Sequence, residues 1–157
     1  MKYNRDILNT LHGQLIDILK EVIRVCESAN IPYFIQGGTA IGAHFFEDIV
    51  PWDDDIDLMM PREDYDRLLE IGPGEFGYPY FFQTPETERW FFRSHIQIRD
   101  SRTTGAIDQD RYRDINRGIF MDVFPLDEVP TTAKELKHHR ALMRRCRRKF
   151  HNITFRH

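Results

Sequence analysis

A chain of 157 residues with 41% hydrophobic and 30% charged side chains has room for one folded core and is neither disordered nor fibrous in composition. No stretch approaches the roughly 20 continuous apolar residues of a membrane span. The opening residues carry Lys2, Arg5 and Asp6 and form no signal-peptide core, and Cys26 and Cys146 stand alone, so a cytoplasmic, disulfide-free protein is expected. The net charge of −3 hides an asymmetry: Lys134 to Lys149 holds eight Lys/Arg against Glu135, while the remainder carries 14 basic against 24 acidic residues. Twelve phenylalanines predict a core built on rings.

In chain order, residues 6–29 place Ile7, Leu11, Leu15, Ile18, Leu19, Val22, Val25 and Cys26 at intervals of three and four, one apolar helical face closed by Asn30 and Pro32. Tyr33-Phe34-Ile35 reads as a short buried strand broken by Gly37-Gly38. Thr39 is placed to cap a short helix through Phe46, with Ile41, Gly42 and Phe45 inward. Ile56, Leu58 and Met60 alternate with Asp55, Asp57 and Met59 at the period of a strand. Pro61, Glu63 and Asp64 open a helix that Gly72-Pro73-Gly74 is expected to stop. Further strands are predicted at 80–83, 95–99 and 119–124, separated by a polar, mobile loop over 100–117. Thr132-Ala133-Lys134-Glu135 forms a capping box for a last, basic helix over 132–150. Without repeats or linkers, the chain reads as one α/β domain over 1–157. The basic helix is a solvated face with a possible peripheral membrane or subunit contact. No nucleic-acid module is visible, and nucleic acid is not an expected partner.

The chemistry lies in Asp53-Asp54-Asp55-Ile56-Asp57. Four aspartates in five residues repel one another, and a divalent cation relieves that repulsion, hard oxygen ligands suiting Mg²⁺. On a strand, Asp53, Asp55 and Asp57 share one face, with Asp55 and Asp57 as the two-pronged pair. Asp122, the only acid within the apolar strand 119–124, is the candidate third ligand. A calcium loop of the helix-loop-helix kind is excluded, since its sixth and twelfth positions would be Leu58 and Asp64. Gly37-Gly38-Thr39, between a strand and a helix, offers backbone N–H groups and a helix N-terminus to a phosphate.

Several strings together resemble the LicD family of phosphotransferases. They are Gly38-Thr39-Ala40-Ile41-Gly42-Ala43, Pro51-Trp52-Asp53-Asp54-Asp55-Ile56-Asp57, Pro61-Arg62-Glu63-Asp64-Tyr65, Arg99-Asp100-Ser101 with Thr103-Thr104, and Asn116 to Asp127, which contains Gly118-Ile119-Phe120-Met121-Asp122-Val123-Phe124-Pro125. The resemblance covers about residues 31–130 and implies a nucleotidyltransferase-like mixed sheet flanked by helices. It also implies transfer of a phosphorylated small alcohol, such as phosphocholine, from a CDP-linked donor to a cell-surface glycan with release of CMP. It points to Asp55, Asp57 and Asp122 as ligands of Mg²⁺, or of Mn²⁺, with Asp53 or Asp122 as the catalytic base. Gly37, Gly38, Thr39, Arg99, Arg102 and Arg117 are the expected donor-binding residues. The chain departs from the family where an Arg usually follows the glycine motif and Phe45 and Phe46 stand instead; His44 or one of the three arginines is a candidate substitute. Family members usually continue further, so a C-terminal acceptor-holding part is expected to be absent. Nucleotidyl transfer with release of pyrophosphate, and a non-catalytic binding module, are the competing expectations.

Overall fold

The computed structural model describes residues 4–105, 107 and 110–154, with side chains as far as residue 150. The chain divides into two units, Met1–Leu126 and Asp127–His157. The first holds α1 (Arg5–Ser28), β1 (Phe34–Ile35), α2 (Gly37–Phe45), β2 (Asp57–Pro61), α3 (Arg62–Glu75), β3 (Tyr80–Gln83), β4 (Ile96–Asp100) and β5 (Ile119–Leu126). The five strands form one mixed sheet in the order β1-β2-β5-β4-β3. Only β2 and β5 run parallel; the other three pairs are antiparallel. This is the mixed α/β architecture that the sequence pattern implies.

Strand alternation sorts the side chains. Leu58 and Met60 on β2, Ile96 and Ile98 on β4, and Met121 and Val123 on β5 all fall on one face and are fully buried. There they meet Leu15, Ile18, Val22 and Val25 of α1 and Tyr65 and Leu68 of α3. Each such side chain contributes about 1.5–3 kcal/mol relative to exposure. The core is chiefly aliphatic. Of the described phenylalanines, Phe76 and Phe82 join it, stacked with centroids 5.5 Å apart, and Phe91 is buried apart from it, while Phe34, Phe45, Phe46 and Phe92 are exposed. The expectation of a ring-built core fails because helical and strand positions facing inward are taken by Leu, Ile, Val and Met.

Three local expectations change. Phe34 and Ile35 are exposed rather than buried, because β1 is a two-residue edge strand paired only with β2. Helix α2 starts at Gly37, and Ile41 and Phe45 point outward; Gly42 is the residue turned in. A side-chain carbon at Gly42 would come within 2.5 Å of the Asp48 carbonyl, so the glycine contact fixes how the helix sits. Helix α3 runs through Gly72-Pro73-Gly74 to Glu75, since proline in a last turn forfeits one bond only and Gly72 lets the helix lie directly on the Phe82 ring.

The described part of the segment 101–118 is tied down. Gly105 N donates to Arg117 O at 2.7 Å, and buried Asp110 accepts from Arg93 at 2.7 Å and Arg113 at 3.3 Å. Residues 106, 108 and 109 lie outside the described residues. In the second unit α4 spans Ala133–Thr154. Thr132 Oγ1 accepts from Glu135 N at 3.3 Å and donates to the Glu135 carboxylate at 2.6 Å, closing the expected cap. Among the described residues no helix is long and apolar enough to cross a membrane.

Candidate active site

The face of the sheet opposite the core carries the polar residues. Asp57 of β2 and Asp122 of β5 are direct register partners, which brings the acid run and the lone acid of the apolar strand side by side, as the sequence pattern requires. Strand geometry begins at Asp57, so the alternation expected from Asp53 onward holds only from there. Residues 53–56 are irregular, and Asp54 is not turned away from its neighbours. Among the described residues, one oxygen each from Asp53, Asp54 and Asp55 lie within 4.8 Å of one another. The tightest trio of carboxylates is thus 53-54-55, and Asp57 and Asp122 adjoin it from the sheet.

The crowding has an electrostatic signature. Burial, then Asp57 and Asp53, push the Asp55 carboxyl up to about 6. Burial and then Asp122 and Asp53 raise Asp57, an effect that His95 partly offsets. Such mutual destabilisation of anions is what a divalent cation relieves, and an all-carboxylate donor set suits Mg²⁺ or Mn²⁺.

The glycine pair sits directly against these acids. Gly37 has φ +56°, and a side-chain carbon there would lie 3.5 Å from Asp57 Oδ2; at Gly38 it would lie 2.3 Å from Asp53 Oδ2. At Gly38 only the missing side chain allows so close an approach, and at Gly37 it is the positive φ that favours glycine. Thr39 does not cap the helix: its Oγ1 accepts from Asp57 N at 2.9 Å. From α1, His12 Nε2 contacts Asp53 O at 2.8 Å and ties that helix to the acid run. A cleft of about 830 Å³ opens beside Asp54 and Asp55, walled by Ile119 and Phe120 of β5 and by Ile7 and Leu11 of α1. That volume falls in the range of small-molecule sites.

The three arginines expected to hold the donor fare differently. Arg99 is 1% exposed and donates to Gln83, to Gly118 O at 2.8 Å and to Gln97 Oε1 at 2.6 Å, with its guanidinium 4.5 Å over the Phe120 ring. Burial pushes it down to about 10. It is enclosed by protein acceptors and does not face solvent, so direct contact with a donor is corrected to an internal role. Arg102 is committed to Asp100 through two bonds of 3.0 and 2.7 Å. Arg117 is exposed and donates to Arg111 O at 3.2 Å. His44 is exposed, edge-on to Phe45.

Sequence reasoning missed His95 and Gln97. Gln97 donates to Asp122 Oδ1 at 2.6 Å, and His95 Nε2, buried and without a well-directed hydrogen bond, lies 3.2 Å from the same oxygen. The available signal was the alternation His95, Gln97, Arg99 between Ile96 and Ile98, a polar face on a strand buried on both sides.

The family model described as LicD/FKTN/FKRP, nucleotidyltransferase domain, matches residues 30–155. The chain is 33% identical over 135 residues to the lipopolysaccharide cholinephosphotransferase LicD of Haemophilus influenzae, covering 82% of this chain and 49% of that protein. It is 35% identical over 63 residues to the ribitol 5-phosphate transferase FKRP of Mus musculus, covering 40% of this chain and 13% of that protein. The chain therefore spans about half the length of the first of these relatives and a small part of the second. With a glycine-opened helix set against crowded carboxylates on a mixed sheet, and a family match over most of its length, the chain belongs to the LicD family of nucleotidyltransferase-fold proteins.

Proposed function

We propose that the chain moves a phosphorylated small alcohol, such as phosphocholine, from a CDP-linked donor to a glycan acceptor. The observation that carries this reading is the placing of five carboxylates, Asp53, Asp54, Asp55, Asp57 and Asp122, beside the Gly37-Gly38 start of α2. In the reaction the acceptor hydroxyl attacks the phosphorus that bears the alcohol, the bond from that phosphorus to CMP breaks, and the hydroxyl proton passes to Asp53 or Asp122. The N–H groups at the start of α2 bind a phosphate oxygen. Asp55, Asp57 and Asp122, with Asp53 and Asp54 adjoining, would hold Mg²⁺ or Mn²⁺, which supplies charge neutralisation for the diphosphate and the leaving CMP. The cleft beside Asp54 and Asp55 receives the donor, its apolar walls excluding water. Of Arg99, Arg102 and Arg117, the last is the one exposed enough to reach a phosphate without giving up an acid partner. The basic helix over 132–150 belongs to the same reading as a contact at the inner membrane surface.

The test is thermal stabilisation by CDP-choline, CDP-ribitol, CDP-glycerol, CTP and ATP, each with and without Mg²⁺, followed by product analysis. Stabilisation needing both Mg²⁺ and one CDP-alcohol, with release of CMP, is the expected result. Response to a nucleoside triphosphate alone, with pyrophosphate released, would replace this reading with nucleotidyl transfer. A folded protein that answers to none of them is a binding module.

A further inference from the structure

The polar row of the sheet extends beyond the acids. Gln83 on β3 pairs with Gln97 on β4, Gln97 with Asp122 on β5, and Asp122 with Asp57 on β2, so four strands contribute one residue each to a continuous line. Gln83 and Gln97 are 0% and 1% exposed. Amides buried so completely must satisfy both their oxygen and their NH₂ within the protein.

Arg99 decides how they do so. Its Nε donates to Gln83 Oε1 and its Nη2 donates to Gln97 Oε1 at 2.6 Å. A guanidinium only donates, so each glutamine must turn its oxygen toward Arg99 and its NH₂ away. For Gln83 the far side is the Glu88 carboxylate and Asn116 O, the latter at 3.1 Å. For Gln97 it is Asp122 Oδ1, at 2.6 Å. The alternative amide orientation at Gln97 would set oxygen against carboxylate and NH₂ against guanidinium, and is excluded on both sides. Arg99 is itself fixed by Gly118 O at 2.8 Å and by Asp110, 3.7 Å from Nη2.

The neutral amide between the two charges has a purpose. A guanidinium bound directly to Asp122 would compete with a cation for the carboxylate; the amide passes on the orientation without the charge. Gln97 and His95 both approach Oδ1, which leaves Oδ2 uncommitted among the described residues.

We infer that Arg99, acting through Gln97, is a positioning residue that holds Asp122 Oδ1 back against β4 and leaves Oδ2 for a divalent cation. This rests on the metal-dependent reading above. Partners of this kind behind a metal ligand are worth about 10- to 100-fold in metal affinity.

The experiment compares Gln97→Met with Gln83→Met, both in the full chain. Each removes one acceptor from Arg99 at an equally buried site, but only the first removes the bond to Asp122. Mn²⁺ binding is followed by electron paramagnetic resonance, Mg²⁺ by competition, and folding by thermal melting. Gln97→Met is expected to bind Mn²⁺ about 10- to 100-fold more weakly, while Gln83→Met, though less stable, keeps the parent's affinity. If Gln97→Met does not fold, Gln97→Val, smaller and suited to a strand, replaces it. Equal affinity in the parent and the Gln97 variant would overturn the inference and leave the metal reading standing, and so would an equal loss in both glutamine variants. A parent chain that binds no Mn²⁺ would overturn the metal reading and the inference together.

Discussion

On the face of the sheet toward α1 and α3, Leu58, Ile98, Met121 and Val123 have no exposed surface and no polar atom to satisfy. On the other face, the residues one step along the same strands are Asp57, Gln97, Arg99 and Asp122, each dependent on a named partner or short of one. The first face gains free energy wherever apolar area leaves water, and tolerates exchange of one aliphatic side chain for another. The second places like charges together and settles them only through directional contacts. One sheet thus divides its work: stability comes from one side, and the crowded like charges are carried on the other.

The comparison can be broken most completely on the polar side. Asp57→Asn is expected to lower Mg²⁺-dependent CMP release by at least about 100- to 1000-fold, the scale of removing one electrostatic stabiliser. Its metal-free melting temperature should stay level or rise, because a repulsive carboxylate has gone; a chromatographic CMP assay beside a thermal melt checks both. Ile98→Ala, one position from Gln97, should do the reverse. It is expected to cost about 2–5 kcal/mol in urea unfolding, with catalysis per folded molecule retained.

Gly38→Ala tests the seam between helix and acids. Its added carbon would meet Asp53 Oδ2 at 2.3 Å, so the carboxylate must move. A stability loss of about 1–3 kcal/mol is expected for such overpacking, together with weaker Mn²⁺ binding, read by melting and metal titration. A variant with unaltered metal affinity would mean that Asp53 lies outside the metal site.

The smallest expected effect is a pH dependence. Asp55 is held up to about 6 against an ordinary 3.8, so the folded chain binds that proton more tightly than the unfolded one. Its favourable contribution is complete below about 4 and is lost as pH rises through about 6. Asp100 behaves oppositely. The Arg102 guanidinium keeps its carboxyl low, so its contribution is present above the usual carboxylate range and is lost as pH falls through its lowered value. Metal-free melting curves should therefore decline between about pH 4 and 6 through Asp55, and Mg²⁺ should flatten that decline. Asp55→Asn should shrink the decline without metal, the raised Asp57 keeping part of it. Arg102→Gln should flatten the loss on the acid side, since the guanidinium that holds Asp100 low is gone.

The apolar face was legible because a buried strand imposes a period of two, and Ile56, Leu58 and Met60 display it without help from any other segment. Asp122 was legible for the same reason: one acid among Phe120, Met121, Val123 and Phe124 contradicts its surroundings. Gln97 and His95 were not legible as site residues. A polar residue on a strand usually faces water, and only the pairing of β4 with β5, a long-range fact, sets Gln97 opposite Asp122 and His95 beside it. Arg99 was misjudged by the same gap: its charge suggested a phosphate, while its burial depends on neighbours far away in the chain. The outward turn of Ile41 and Phe45 was hidden because the contact that orients α2 is made by Gly42, which has no side chain to advertise it.

The backbone of Asp57 is fastened on both sides, its N–H to Thr39 Oγ1 and its carbonyl to Gln36 N. Asp122, inside β5, is fastened between β2 and β4. Residues 53–55 precede the strand and lie outside the sheet, Asp53 being held instead by its N–H to Val50 O at 2.9 Å and by His12 at its carbonyl. The site therefore resembles a vice with one jaw cast into the sheet and one hung on a short irregular stretch. Donors of different bulk would be accommodated by the hung jaw, and changes that widen substrate range should collect at 52–55 and leave 57 and 122 alone.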